Sequence, residues 1–244
     1  MRKIAITSLK KGIGRTSFSF SLAFAFKEMG KSTIAILDSP IIASNKYVDD
    51  FFKEQRNISN YITFFEGLSV LLRKGDVNLD REIVNILLQK IGDEKRFDIL
   101  VWDIDYDILS NCSDFFEEII FVSLPYKSDL IELKETAKNI KRKVYVVINF
   151  LPTSMEIDDK SISNFLGLEL LGKISYDESI QESIYYKLPV TFYKRYSLSS
   201  KQIFEIASKL LLTEYNEKFF YRILRFFDSL KKSKIKLTIE ELSF

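Results

Sequence analysis

Short continuous apolar runs alternate along this chain with stretches whose apolar residues recur every three or four positions, the pattern of buried strands followed by helices. Ile4 to Ile6 is the first run. Thr33–Leu37 (TIAIL), Phe97–Trp102 (FDILVW), Glu118–Leu124 (EIIFVSL), Lys143–Asn149 (KVYVVIN) and Leu170–Ile174 repeat it. Runs this short and this apolar suit parallel strands covered on both faces. Between them, Ser17 to Gly30 places Phe18, Leu22, Ala25 and Met29 on one helical face, widened by Phe20 and Phe24. That arc predicts a helix buried against both a sheet and a neighbour, ended by Gly30 in the manner of a C′ glycine. Helical spacing also predicts helices over Tyr61–Arg73 and Leu79–Ile91, separated by Gly75-Asp76. A helix over Asp129–Ile140 carries Asp129 and Glu132 early and Lys138 late, which complements its dipole. Others are predicted near Lys160–Leu166, near Ser179–Tyr186 and over Ser199–Leu212. Strands alternating with helices, without Pro/Gly-rich linkers or repeats, predict one doubly wound α/β domain, a mostly parallel sheet with helices on both faces.

The 244 residues, 46% hydrophobic and 29% charged, are enough for a substantial core. With 36 basic and 34 acidic side chains the net charge is +2, so any attraction to nucleic acid or lipid must come from a local patch. Cys112 is the one cysteine and there is no histidine. Intrachain disulfides, multi-cysteine metal sites and histidine chemistry are thereby excluded, and an intracellular protein is expected. The first residues, MRKIAIT, enter a strand at once, and no run reaches the ~18 apolar residues of a membrane span. The expectation is a cytoplasmic protein, with peripheral membrane attachment left open.

Chemistry concentrates between the first strand and the first helix. Lys3 to Ser17 reads KIAITSLKKGIGRTS, an apolar run, then a lysine- and glycine-rich turn, then Thr16-Ser17 and a helix. This is the layout of a phosphate-binding loop, in which successive N–H groups and a helix N-terminus converge on a polyphosphate and glycines let the backbone close. Against the plain pattern G-x-x-x-x-G-K-S/T, Leu9 stands at the first glycine and Arg15 at the lysine, leaving Gly14 and Thr16. Asp38 ends the second strand and Asp103 the strand Phe97–Trp102, the end at which open α/β sheets bind ligands. A strand that delivers a carboxylate beside a phosphate loop is the Walker B arrangement. Asp38 is open to a second reading as a solvated strand end. Asp105 and Asp107 read either as part of a metal cluster or as a solvated acidic turn.

Together these landmarks resemble the deviant-Walker-A P-loop ATPases of the ParA/MinD class. Lys10 to Ser17 (KKGIGRTS) is similar to that family's K-G-G-V-G-K-T-T/S, with Lys10 at its signature lysine. Asp103 stands at its Walker B aspartate and Asn149 at its adenine-side asparagine. Ile174-Ser175-Tyr176-Asp177 stands at I-P-Y-D, and Lys187-Leu188-Pro189-Val190 at G-x-P-V. The order is the family's, over residues 1 to about 212, which defines an ATPase-like domain 1–212 and a tail 213–244. The departures are Lys11 for a loop glycine, Arg15 for the phosphate lysine and Ser175 for a proline. The family's D-x-D falls on Leu37 and Ser39, so Asp38 serves only if the chain slips by one, and its D-x-P-x-G has become DIDYD.

The resemblance implies ATP and Mg2+ as ligands and two subunits closing over two nucleotides. Lys10 would then act across the dimer, with Lys11, Gly12, Ile13, Gly14, Arg15, Thr16 and Ser17 around the phosphates. Asn149 and Ser175 would lie on the adenine side, Thr16 and Asp103 would hold Mg2+, and Asp38 is the candidate for positioning water. Arg15 is bulkier and planar where an ammonium belongs, so the expected activity is slow ATP hydrolysis, which Arg15→Lys should raise. The function implied is a dimerisation switch that positions a division, partition or motility complex. The alternative is a pseudo-ATPase scaffold that docks to an active relative. One cysteine does not build the bridging iron–sulfur site of some relatives. Beyond the core, Asn216–Lys232 places Phe219, Phe220, Ile223, Leu224, Phe226, Phe227 and Leu230 in one helical arc, with Arg222, Arg225 and Lys232 opposite. Seven basic residues against Asp228 give a net of +6 over 218–236. Three readings stay open for 214–236: packing on protein, a membrane surface as in MinD, or nonspecific DNA binding.

Overall fold

The computed structural model describes residues 1–38, 46–54, 57–152, 158–218 and 221–226. The apolar runs become strands of a single eight-stranded sheet. Its first half comprises β1 (Arg2–Thr7), α1 (Arg15–Glu28), β2 (Thr33–Leu37), α2 (Val48–Glu54), β3 (Thr63–Phe65), β4 (Leu68–Leu72) and α3 (Arg81–Asp93). Then follow β5 (Ile99–Asp103), α4 (Tyr106–Cys112), β6 (Glu118–Ser123), α5 (Lys127–Ala137) and β7 (Lys143–Leu151). α6 (Asp159–Leu166), β8 (Glu169–Ser175), α7 (Glu178–Tyr185), α8 (Val190–Tyr193) and α9 (Leu198–Leu211) complete the order. The strands lie β3-β4-β2-β5-β1-β6-β7-β8, all parallel except the β3–β4 pair. From β1 the chain first winds out to β2 and later to β6 on the other side. The crevice at that reversal lies over the C-terminal ends of β1, β5 and β2, where such sheets bind ligands.

Every residue of β2, β4 and β5 is buried, because helices cover both faces. Ile4 and Ile6 enter one apolar layer and Ala5 the other, the alternation a pleated strand imposes. The first layer is filled by α1 and α9, the second by α2 to α6. α1 is buried continuously from Phe18 to Phe26, between the sheet and α9, as its apolar arc predicts. Gly30 stops it at φ 82°.

The helix expected over Tyr61–Arg73 is instead the hairpin β3–β4. Glu66 and Gly67 both take positive φ, 46° and 82°, which is the twist a two-residue hairpin turn requires. Leu68–Leu72 is then a buried strand beside β2, in register Leu37↔Leu72. The helix expected over Leu79–Ile91 is present as α3, capped by Asp80, whose carboxylate accepts from the Ile83 N–H at 2.9 Å. The acidic stretch after Asp103 does not stay a turn; it starts α4.

No helix among the described residues is long and apolar enough to cross a membrane. Most of the expected amphipathic segment 214–236 lies outside the described residues. The described part contacts the domain. Tyr215 stacks on Phe204 of α9 at 5.1 Å between ring centroids. Arg225, which the helical spacing puts on the basic side, donates from Nε to the Tyr196 carbonyl at 3.0 Å.

Candidate functional site

The turn between β1 and α1 is held open by two glycines. Gly12 adopts φ 76° and Gly14 φ 83°, the left-handed region that side chains pay to enter. Gly14 is the residue before α1, and its carbonyl accepts the Phe18 N–H at 2.9 Å. A Cβ on Gly14 would lie 2.5 Å from Asn149 Nδ2 and 3.3 Å from the Phe150 ring, whereas one on Gly12 meets nothing within 4 Å. The loop therefore lies against the end of β7 through Gly14. A cleft of about 420 Å³ opens on it, lined by Ser8, Lys10, Lys11, Gly12, Gly14, Arg15, Thr16, Ser17, Asp38, Asp105 and Ile184. A larger cleft of about 750 Å³, between Phe51–Phe52 and Ile86–Glu94, contains no part of the loop.

The strand ends supply charge. Register Ile6↔Asp103 puts the Asp103 carboxylate beside the loop, fully buried. Arg15 Nε donates to Asp103 Oδ1 at 2.5 Å and Nη1 to Asp105 Oδ1 at 2.5 Å. Thr16 Oγ1 donates to Asp103 Oδ2 at 2.6 Å, and the Asp38 N–H approaches the same oxygen at 3.4 Å. Burial disfavours the charge on Arg15, but Asp103 and Asp105 more than offset it and hold the guanidinium above its ordinary value. Burial pushes Asp103 the other way, above the ordinary carboxylate range, against the pull of Arg15 and Thr16. Asp105 heads α4 without making a cap bond, because its carboxylate is turned to Arg15.

Lys10 points along its own chain. Its Nζ donates to Asp129 Oδ1 at 2.7 Å, at the start of α5, and this bond holds the ammonium above its ordinary value. Asp38, next to the Leu37↔Leu72 pair, faces Arg73 with Nη1 3.1 Å from Oδ1. Burial raises the Asp38 carboxyl above its ordinary value, and Arg73 opposes that. Arg73 is only 4% exposed. It was not legible as a site residue, since it ends a run that spacing reads as helix.

Lys11 is exposed at the rim. Asn149 is buried and holds the loop: its Nδ2 donates to the Ile13 carbonyl at 2.8 Å, while Oδ1 has no partner. Ser175 does not join the loop. Its N–H donates to Gln202 Oε1 at 2.9 Å and its hydroxyl accepts from Gln202 Nε2 at 3.0 Å. Asp177 caps α7 through the Ser179 N–H at 3.0 Å. Lys187, at the glycine of G-x-P-V, keeps a left-handed backbone at φ 56°.

The arrangement fits a polyphosphate: a glycine loop, a helix N-terminus, Lys10 and Lys11 share one cleft. The unpartnered Asn149 Oδ1 suits a donor such as an exocyclic amine. It does not fit Mg2+ as it stands. Thr16 and Asp103, the two expected ligands, are brought together, but Arg15 and the Thr16 hydroxyl occupy the Asp103 oxygens. Among the described residues no group of three or more acidic or cysteine side chains is placed to hold a metal ion.

No curated protein matches the chain by sequence. Its fold is shared with a MinD cell division protein from Aquifex aeolicus, at TM-score 0.76 and 17% identity, covering 89% of this chain and 100% of that one. A ParA family ATPase from Chlorobium tepidum TLS aligns at TM-score 0.72 and 18% identity over 86% and 98%. The septum site-determining protein MinD from Pyrococcus horikoshii OT3, complexed with Mg-ADP, aligns at 0.68 and 22% over 86% and 95%. The family model described as the CobQ/CobB/MinD/ParA nucleotide binding domain matches residues 4–190. With more than half of its length matched, the chain belongs to the CobQ/CobB/MinD/ParA nucleotide-binding family.

Proposed function

We propose that this protein is a nucleotide-dependent switch of the ParA/MinD kind, which binds an adenine nucleotide in the loop cleft, dimerises over it, and positions a cellular complex. The observation that carries the reading is the loop itself. Gly12 and Gly14 hold left-handed backbone over a cleft lined by Lys10, Lys11 and Arg15, a turn that glycine enters freely and that suits anion binding. Residues 1–212 would be the nucleotide-binding unit. The names of its structural relatives, cell division and ParA family proteins, support the positioning role. Turnover is slow on this reading, because Arg15 is engaged by Asp103 and Asp105 and phosphoryl transfer depends on positioned charge. The same contacts favour a second reading, a pseudo-ATPase scaffold that holds nucleotide without cleaving it. For the segment after 212, packing on the domain is favoured over membrane or DNA by the Tyr215 and Arg225 contacts.

The test is calorimetry and thermal unfolding with ADP, ATP and a non-hydrolysable analogue, alongside oligomeric state. Binding with a raised melting temperature, and a dimer with ATP or the analogue, are expected, because a ligand stabilises the state it binds. No heat and no melting shift at millimolar nucleotide would sink the reading. A dimer with the analogue but no phosphate release selects the scaffold.

A further inference from the structure

We propose that Arg15 is the resident cation of this site, filling the place between Asp103 and Asp105 where a divalent metal would bind, so that the chain takes a nucleoside polyphosphate without Mg2+. The ligand class rests on the reading above; the metal question does not. Three observations carry it. First, both oxygens of the Asp103 carboxylate are engaged: Oδ1 accepts from Arg15 Nε at 2.5 Å and Oδ2 from Thr16 Oγ1 at 2.6 Å. Second, Asp105 completes a fork on the same guanidinium through Nη1 at 2.5 Å, and forgoes the cap bond that an aspartate ordinarily makes at the head of a helix. Third, the guanidinium lies between a buried and an open carboxylate. The Arg15 side chain is 14% exposed, Asp103 not at all and Asp105 39%, so Arg15 stands between the cleft and the buried Asp103 carboxylate.

Guanidinium chemistry explains why the replacement works. Arginine is charged at every accessible pH, presents its donors in a fixed fork, and sheds water more readily than an ammonium. It therefore serves two carboxylates at once from separate nitrogens of one planar group, Nε toward Asp103 and Nη1 toward Asp105. A divalent ion entering here would face a fixed positive charge at contact distance and find its carboxylate oxygens already hydrogen-bonded. Phosphate charge is left to Lys10, Lys11 and the loop N–H groups, which border the cleft beside Arg15.

The experiment uses the full chain. Mn2+ binding is followed by electron paramagnetic resonance with and without ADP or ATP, and nucleotide affinity is measured by calorimetry in millimolar Mg2+ and in EDTA. The wild type is expected to bind no Mn2+ in either state and to hold nucleotide within about twofold in the two buffers. Arg15→Gln, which strips the acidic pair of its cation, is expected to gain Mn2+ and to bind nucleotide at least about tenfold more tightly with metal than without. Mn2+ bound to the wild type, or about a tenfold loss of wild-type affinity in EDTA, overturns the proposal. So does a folded Arg15→Gln that still takes no metal. If that variant does not fold, Arg15→Met, which also removes the charge while keeping an unbranched side chain, replaces it with the same expected gain. Nucleotide that fails to bind in both buffers refutes the functional reading, while the Mn2+ measurements still decide the role of Arg15.

Discussion

Replacing Gly14 by alanine should separate the loop's two structural demands, backbone conformation and close approach. At φ 83° an added Cβ costs roughly 1–2 kcal/mol from conformation alone. The same Cβ would lie 2.5 Å from Asn149 Nδ2, so the amide must move and release the Ile13 carbonyl it holds at 2.8 Å. Both groups are buried, and leaving them unpaired costs about 1–3 kcal/mol more. The sum is roughly 2–5 kcal/mol, or a melting temperature lower by about 5–15 °C for a chain of this size. Gly12 is the control, because at φ 76° with nothing within 4 Å of its Cβ it carries only the conformational part. Thermal and urea unfolding of the two variants should therefore differ by about 1–3 kcal/mol. Equal losses would refute the argument, since they would mean that Asn149 does not clamp the loop.

Other expectations are shorter. Lys10→Ala should abolish ATP-dependent dimerisation while monomer binding of nucleotide stays within about threefold; an unchanged dimer by light scattering would remove any role for Lys10 across the interface. Cys112 is buried and its thiol is pushed up to about 11. It should stay unmodified by thiol reagents at pH 8 until the chain unfolds, and rapid labelling of the native protein would count against the packing described. Because the unfolded thiol ionises first, from about 9, stability should fall as pH rises between the two values, by at most about 2–3 kcal/mol in urea titrations. Lys187→Gly should raise stability by about 1 kcal/mol, seen as a gain of about 2–4 °C, because Lys187 now holds φ 56° with a side chain; a loss would show that its side chain contributes more than its backbone costs.

The strands were legible because each is a continuous apolar run closed by a polar residue, and burial on both faces demands that composition. The hairpin β3–β4 was not. Its second strand, LSVLL, has no alternation to oppose a helical period, and its turn places Glu66, a residue with no left-handed preference, at φ 46°. Misreading that run also hid Arg73, whose pairing with Asp38 follows only from the Leu37↔Leu72 register. In the site, motif spacing brought out the loop, Asp103 and Asn149, since these recur at strand ends in a fixed order. What each side chain touches lay beyond it. Arg15 meets Asp103 and Asp105 across 88 and 90 residues, and Asn149 meets Ile13 across 136. Contacts at that separation are set by sheet order, which no local pattern carries.

The departures from the family pattern come with matching charges. Arginine stands at the phosphate lysine, and an aspartate two residues beyond Asp103 takes its second nitrogen. The slipped aspartate at the end of β2 meets an arginine at the end of the neighbouring strand. A motif merely losing its function would strand such groups, and a buried charge without a partner costs several kcal/mol. Here Asp103, Arg15, Asp38 and Arg73 each have an opposite charge within reach. Meanwhile the left-handed glycines of the loop are kept. If the loop holds a nucleotide as proposed, the rewiring changes how the charge of that ligand is met rather than whether it is bound.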